Sequence, residues 1–150
     1  MNNKPNFEVI HKTMAMIWLA LFSAQVMFMI VTLVAKPELA RFDLSRPILG
    51  TEPLMIMIFG FFALLLIVSS FVLKSVFYNR AVIEQQPAHV QTGMIVACAM
   101  CEAASIFGVV LGFTYTYQYF FLFIVAGMAG MAFHFPSRKV LMNASLGKKL

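Results

Sequence analysis

One stretch of the chain decides its fold: residues 92–112 read TGMIVACAMCEAASIFGVVLG. This stretch contains a single formal charge, on Glu102, and is otherwise made of apolar or small residues. A helix needs about 20 predominantly apolar residues to cross the hydrocarbon core of a bilayer. The stretch therefore predicts a membrane-spanning helix that carries one carboxyl group near its middle.

The composition of the whole chain agrees with this prediction. Hydrophobic residues make up 61% of the 150 residues and charged residues only 11%, whereas a soluble domain contains about 25% charged residues. So few charges cannot cover a surface that faces water. The composition excludes a soluble enzyme, a disordered tail and a disulfide-rich secreted scaffold. We expect a multi-pass protein of a cell membrane, which in a bacterium would be the inner (cytoplasmic) membrane.

Three further apolar stretches have about the length of a membrane span. Together with the first they predict four spans, at residues 14–34, 54–73, 92–112 and 119–135. Short polar segments separate the spans and leave no room for a water-soluble domain. The predicted fold class is therefore an all-α integral membrane protein, with a single four-helix domain over residues 1–150.

The basic residues predict the orientation of these spans, because cytoplasmic segments carry an excess of Lys and Arg. Both termini and the connection between the second and third spans share one side, which holds eight basic residues: Lys4, Lys12, Lys74, Arg80, Arg138, Lys139, Lys148 and Lys149. The other side holds three: Lys36, Arg41 and Arg46. We therefore expect an N-in/C-in bundle. Its net charge of +5 indicates contact with the anionic headgroups of the lipid bilayer and not with nucleic acid.

Glu102 is the only formally charged residue within the four predicted spans. Burial in hydrocarbon favours the neutral acid, and no Lys, Arg or His at a matching depth in another span offers a counter-ion. Ionisable residues inside spans are functional candidates by default. Two interpretations stay open. Glu102 is a proton- or cation-binding site with Ser105 beside it, or it is a protonated residue whose hydrogen bond holds helices of an oligomer together.

Small residues form a stripe along the same predicted helix. At helical spacing, one side carries Ala97, Cys101, Ala104, Ser105, Gly108 and Gly112. Small residues let two helices approach closely in lipid. The stripe therefore predicts a close helix contact, either with the similarly small fourth span of the same chain or with a neighbouring subunit. We expect self-association into a homo-oligomer, such as a ring, through Ala97, Cys101, Ala104, Gly108 and Gly112, with a larger membrane complex as a further partner.

Residues 83–113 combine a polar connection with an acid-bearing helix. The connection ends in Gln86-Pro87, and the helix contains the run EAASIFGVV, residues 102–110. This segment resembles the helical hairpin of rotary ATPase subunit c (the proteolipid), in which a run similar to Glu-Ala-x-x-Ile-Tyr-Gly-Leu-Val carries the proton-binding acid. The resemblance implies that Glu102 is that acid and that Gln86 and Pro87 lie at the apex of a cytoplasmic loop. The chain is not a typical member, because its second span is bulky and has only Gly60 where that family has many glycines.

The sequence gives only weak signals for other kinds of functional site. Cys98 and Cys101 form a CxxC pair inside an apolar helix, which predicts packing, because a zinc site would need two more ligands nearby. His11, His89 and His134 are expected at the cytoplasmic edge of the bundle. The sequence shows no nucleophile–base pair, phosphate-binding loop or metal-ligand cluster. We therefore expect no enzyme activity, no metal and no cofactor.

These observations favour a homo-oligomeric, subunit-c-like membrane protein with a membrane-embedded proton- or cation-binding carboxylate. The alternative is a non-transporting structural or scaffold membrane protein, whose rings or arrays organise lipid or a larger complex. The motif around Glu102 favours the first function, and the bulk of the second span favours the alternative.

Overall fold

The computed structural model describes residues 7–41, 43 and 45–146, so that Lys4, Lys148 and Lys149 of the orientation count lie outside the described residues. Within the described ranges every regular element is a helix. The α-helices are α1 (Phe7–Ala35), α2 (Pro53–Glu84), α3 (Pro87–Tyr115), α4 (Phe121–Ala132) and α5 (Arg138–Ser145). Two 3-10 turns lie at Pro37–Ala40 and Gln118–Phe120. The predicted all-α fold class is confirmed for these residues.

Three of the helices are long and apolar enough to cross a membrane. These are α1, α2 and α3, with 29, 32 and 29 residues. At 1.5 Å per residue, 29 residues extend about 43 Å, more than the hydrocarbon core of about 30 Å. The structure therefore supports the predicted class of multi-pass membrane protein. The apolar segment predicted as a fourth span is an α-helix of only 12 residues.

The connection between α2 and α3 is very short. α2 continues through the polar residues after position 73 to Glu84, and α3 begins at Pro87. Only Gln85 and Gln86 separate the two helices, and Gln85 adopts the left-handed conformation with φ of 51°. Proline suits the first turn of a helix, where its missing N–H would have no partner. α2 and α3 thus form a tight helical hairpin.

α3 lies at the centre of the bundle and packs against each of the other four α-helices. Larger buried side chains form two groups, one at either end of the bundle. The basic end, where α1 starts and α5 lies, buries Met14, Val82, Met94, Met131 and Leu141. The tyrosine end, formed by residues 36–41, 43, 45–52 and 115–120, buries Leu39, Ile56, Leu111, Tyr117, Phe120 and Ile124.

α3 and α4 meet closely at two glycines. A Cβ atom added at Gly108 would lie 2.5 Å from the carbonyl oxygen of Phe120, and one added at Gly127 would lie 2.5 Å from that of Cys101 and against Ser105 Oγ. A side chain cannot approach a backbone oxygen so closely, so only glycine fits at either position. The small-residue stripe of α3 therefore packs against α4 within one chain.

Hydrogen bonds join the long connection between α1 and α2 to the turn between α3 and α4. Three consecutive side chains donate to its carbonyl oxygens: Tyr117 to Ile48 (2.7 Å), Gln118 to Asp43 (3.2 Å) and Tyr119 to Arg46 (3.0 Å). The chain turns just before them at Thr116, a non-glycine residue with φ of 50°. These bonds fix the α3–α4 turn relative to the start of α2.

Candidate functional site

Glu102 lies close to the midpoint of α3, 15 residues after Pro87 and 13 before Tyr115. Its side chain is partly exposed on the outer side of the bundle, where Ala99 and Ile106 are exposed as well. In the part of the chain that the structure describes, no hydrogen bond or ion pair reaches its carboxyl group. The structure thus places an unbonded carboxyl group at mid-height on the lateral surface of the bundle.

Ser105, predicted beside Glu102, faces the interior instead. Its side chain is fully buried, and its hydroxyl group lies 3.1 Å from Oε1 of Gln25 and 3.3 Å from the carbonyl oxygen of Cys101. A hydroxyl has one hydrogen, and the shorter distance assigns it to Gln25. Among the described residues, no hydrogen bond joins Ser105 to Glu102. Ser105 links α3 to α1.

The predicted packing residues of α3 are all in the interior. Ala97, Cys101, Ala104, Gly108 and Gly112 are buried, and the two glycines contact Phe120 at the start of α4. Of the two contacts that the stripe predicted, the structure shows the one within the chain. An oligomer built by this chain has other surface available, because Glu102, Ala99 and Ile106 lie outside that contact.

The sequence predicts only part of a cluster of polar side chains inside the bundle. We define the inner polar cluster as Gln25, Ser70, Cys101, Ser105 and His134, all of which are fully buried. Besides the bond between Ser105 and Gln25, the Sγ atom of Cys101 lies 3.6 Å from Ser70 Oγ, which in turn lies 2.8 Å from His134 Nε2. The cluster therefore connects α1, α2, α3 and the segment after α4.

The tautomer of a neutral His134 ring follows from its partner. Ser70 Oγ lies 2.6 Å from the carbonyl oxygen of Ile67, and that oxygen can only accept a hydrogen bond, so the single Ser70 hydrogen is used there. His134 Nε2 must then carry a hydrogen and donate it to Ser70 Oγ. Nδ1 of the neutral ring is left as an acceptor, and in the described part of the chain this buried atom has no hydrogen-bond partner.

The sequence placed His134 at the edge of the bundle, and the structure buries it there completely. Its burial depends on how the segment after α4 folds back against α2, which helical periodicity does not encode. The one local signal is its position between two phenylalanines, Phe133 and Phe135.

The cysteines do not form a metal centre. Cys98 and Cys101 are buried free thiols. Among the described residues, no group of three or more His, Cys, Asp or Glu side chains is arranged to hold a metal ion. Glu102 lies apart from the buried polar side chains of the described residues, which are the inner polar cluster together with Thr32 and Gln118.

Comparisons of the chain with protein-family models, with curated proteins and with solved structures found no match. Its function has to be inferred from the geometry of these residues.

Proposed function

We propose that the chain is a four-span membrane protein with both termini in the cytoplasm, and that the Glu102 carboxyl group binds and releases a proton or cation within the membrane. The observation that carries this proposal is the position of Glu102. It lies at mid-span, partly exposed on the outer side of α3, with no bonded partner among the described residues. A carboxyl group fixed in a structural hydrogen bond would have a donor, whereas this one is open to a ligand.

The helical part of the fourth apolar segment covers most, but not all, of the hydrocarbon core of about 30 Å. The 12 residues of α4 extend about 18 Å, and the preceding 3-10 turn adds about 6 Å. α4 packs along α3, and the segment after it leads to α5, which buries Leu141 and Ala144 at the basic end. The distribution of Lys and Arg between the two ends supports a cytoplasmic basic end.

A second copy of the chain covers Glu102 in this proposal. A carboxyl group facing lipid at mid-span is costly, and such groups normally face a protein interior or a water-filled cavity. Ala99 is exposed and Ala103 is half-buried on either side of Glu102, so a small-xxx-small pair allows another helix to approach. The homo-oligomer therefore uses this surface, because the stripe through Gly108 is occupied by α4.

The likeness to subunit c supports proton or cation binding at Glu102. It does not support a role for the chain as a subunit of a rotor ring. The order of features is the same: a tight hairpin with Gln86-Pro87 at its turn, followed by a helix with one acid at its middle. α2, however, carries large exposed side chains such as Phe61 and Leu64, both 62% exposed. Such a helix does not form the glycine-packed inner layer of a rotor ring.

Carbodiimide labelling tests the proposal, because dicyclohexylcarbodiimide dissolves in membranes and reacts with protonated carboxyl groups. We expect Glu102 to be modified, and the rate to fall as the pH is raised above neutral. Peptide mass spectrometry locates the adduct, and Glu102→Gln supplies the unreactive control. Glu52, an exposed residue in the connection before α2, reports reaction outside the membrane.

The scaffold alternative makes the opposite prediction. If the rate of modification does not fall as the pH is raised, and Glu102→Gln assembles and functions like the wild type, Glu102 is a permanently protonated structural residue. The ion-binding proposal is then wrong.

A further inference from the structure

A cavity of about 420 Å³ opens at the basic end of the bundle, away from Glu102. It lies between α2, the start of α3 and the segment joining α4 to α5, and its polar lining includes Lys74, Tyr78, His134 and Ser137. None of these side chains belongs to the proposed function. A cavity of this size accommodates a small molecule or a headgroup.

The charge around the cavity favours an anion. Lys74 donates a hydrogen bond of 3.2 Å to the carbonyl oxygen of Phe133, and no described carboxylate lies within ion-pair distance of it. The cavity also reaches Ser137, the residue before α5, and the first turn of α5 has no acidic residue, although the start of a helix favours negative charge. A bound anion would balance the charge on Lys74.

His134 adds a second requirement, because it is one of the residues that line this cavity. Its Nε2–H is used by Ser70, and Nδ1 is a buried acceptor without a partner among the described residues. An unpaired buried acceptor is costly. A ligand that fits must therefore offer a hydrogen-bond donor as well as an anionic oxygen.

The rim of the cavity favours an amphiphilic ligand. Phe71, Phe133 and Phe135 line it and are 42%, 74% and 56% exposed. A soluble anion would leave these rings uncovered, whereas acyl chains pack against them. Basic pockets between membrane helices on the cytoplasmic side are known to bind lipid headgroups.

We propose that this cavity binds an anionic phospholipid whose headgroup carries a free hydroxyl, as in phosphatidylglycerol. The phosphate accepts a hydrogen bond from Lys74, and the acyl chains cover Phe133 and Phe135. The headgroup hydroxyl displaces the side chains that cover the buried Nδ1 atom of His134 and donates to it. The site is independent of ion binding at Glu102, so either proposal can fail without the other.

Native mass spectrometry of delipidated protein in neutral detergent tests the site. The probes are phosphatidylglycerol, phosphatidylmethanol (an anionic phosphodiester without a hydroxyl) and phosphatidylcholine, with identical acyl chains. We expect phosphatidylglycerol to bind most tightly and phosphatidylcholine least. Lys74→Gln should weaken both anionic lipids about fivefold, whereas Arg46→Gln at the tyrosine end, the matched control, should leave them unchanged.

His134→Gln separates the two headgroup contacts. Its amide can replace the Nε2–H donor to Ser70 but leaves no acceptor at the position of Nδ1. We expect phosphatidylglycerol to fall to the affinity of phosphatidylmethanol, which itself stays unchanged. If this variant does not fold, as judged by circular dichroism and gel filtration, the wild-type comparison of the two lipids still tests the hydroxyl contact.

Three results would overturn the proposal. These are equal binding of all three lipids by the wild type, unchanged binding by Lys74→Gln, or competition by glycerophosphoglycerol as effective as that of the intact lipid. The last result would indicate a site for a soluble phosphodiester.

Discussion

Glu102 differs from the other residues because a carboxyl group in apolar surroundings is energetically unfavourable unless a bonded partner or a ligand stabilises it. Its carboxyl group lies at mid-span on the outer side of α3 without a bonded partner in the described part of the chain. The buried polar residues of the inner cluster, in contrast, have hydrogen bonds to one another. Because of this difference, we propose Glu102, and not the inner polar cluster, as the group that takes up a ligand.

Tyr117 provides a pH-dependent test of the tyrosine end. Burial, and to a lesser extent the neighbouring Tyr119, raises the pKa of Tyr117 above its ordinary value, and its neutral phenol donates to the Ile48 carbonyl oxygen. Because the pKa is higher in the folded state, the stabilisation is complete below the unfolded pKa and is lost as the pH rises through the folded one. We expect one late-titrating phenol in an ultraviolet titration of the tyrosinate band, and its absence in Tyr117→Phe. A wild-type titration without a late-titrating phenol would show that Tyr117 is not buried as described.

The sequence predicts these residues to different degrees. Glu102 is visible because a charge interrupts an apolar run. Ser105 is visible as a neighbour of Glu102, but a hydroxyl at the boundary between two helix faces can turn either way, and here it turns to Gln25. The sequence predicts His134 at the edge of the bundle and not in its interior, because the burial of this residue depends on the path of the chain after α4.

At the scale of the elements, the α3–α4 contact requires glycine at Gly108 and Gly127. We expect Gly127→Ala and Gly108→Ala to destabilise the protein by about 1–3 kcal/mol, the usual cost of overpacking a core. Gly60→Ala is the matched control, since a Cβ atom there would meet only Phe123 Cζ, at 3.9 Å. That variant should be neutral or stabilised by up to about 1 kcal/mol, because alanine favours helix.

Thermal unfolding in detergent, followed by circular dichroism, measures these differences. Equal stability of Gly127→Ala and Gly60→Ala would mean that α4 does not pack against α3 as described. It would also leave the small-residue stripe available for contacts between subunits.

The residues at which the helices begin and end cannot be predicted from hydropathy alone. The first predicted span starts at residue 14 and the second ends at residue 73, whereas α1 begins at Phe7 and α2 continues to Glu84. Apolar runs mark what lies in hydrocarbon, and a helix continues into water as long as its backbone hydrogen bonds do. The fourth apolar run contains less α-helix than its length suggests, because a 3-10 turn occupies Gln118–Phe120 and the helix ends at Ala132.

At the scale of the whole molecule, α3 organises the bundle. Its inner side binds the chain together through small residues and the inner polar cluster, while its outer side presents Glu102. The α-helical class followed from composition and hydropathy alone. The number of spans, their orientation and the assembly depend on the bilayer and on other copies of the chain, so the fold of a single chain does not determine them.

Infrared spectroscopy during a pH titration tests the central claim most directly, because the C=O stretch of a protonated carboxyl group is observed without a reagent. Wild-type protein in lipid vesicles should show a protonated-carboxyl band at neutral pH that decreases reversibly as the pH rises, and Glu102→Gln should lack it. A band that stays constant over the whole titration, or that persists in Glu102→Gln, would contradict the claim that Glu102 exchanges a proton.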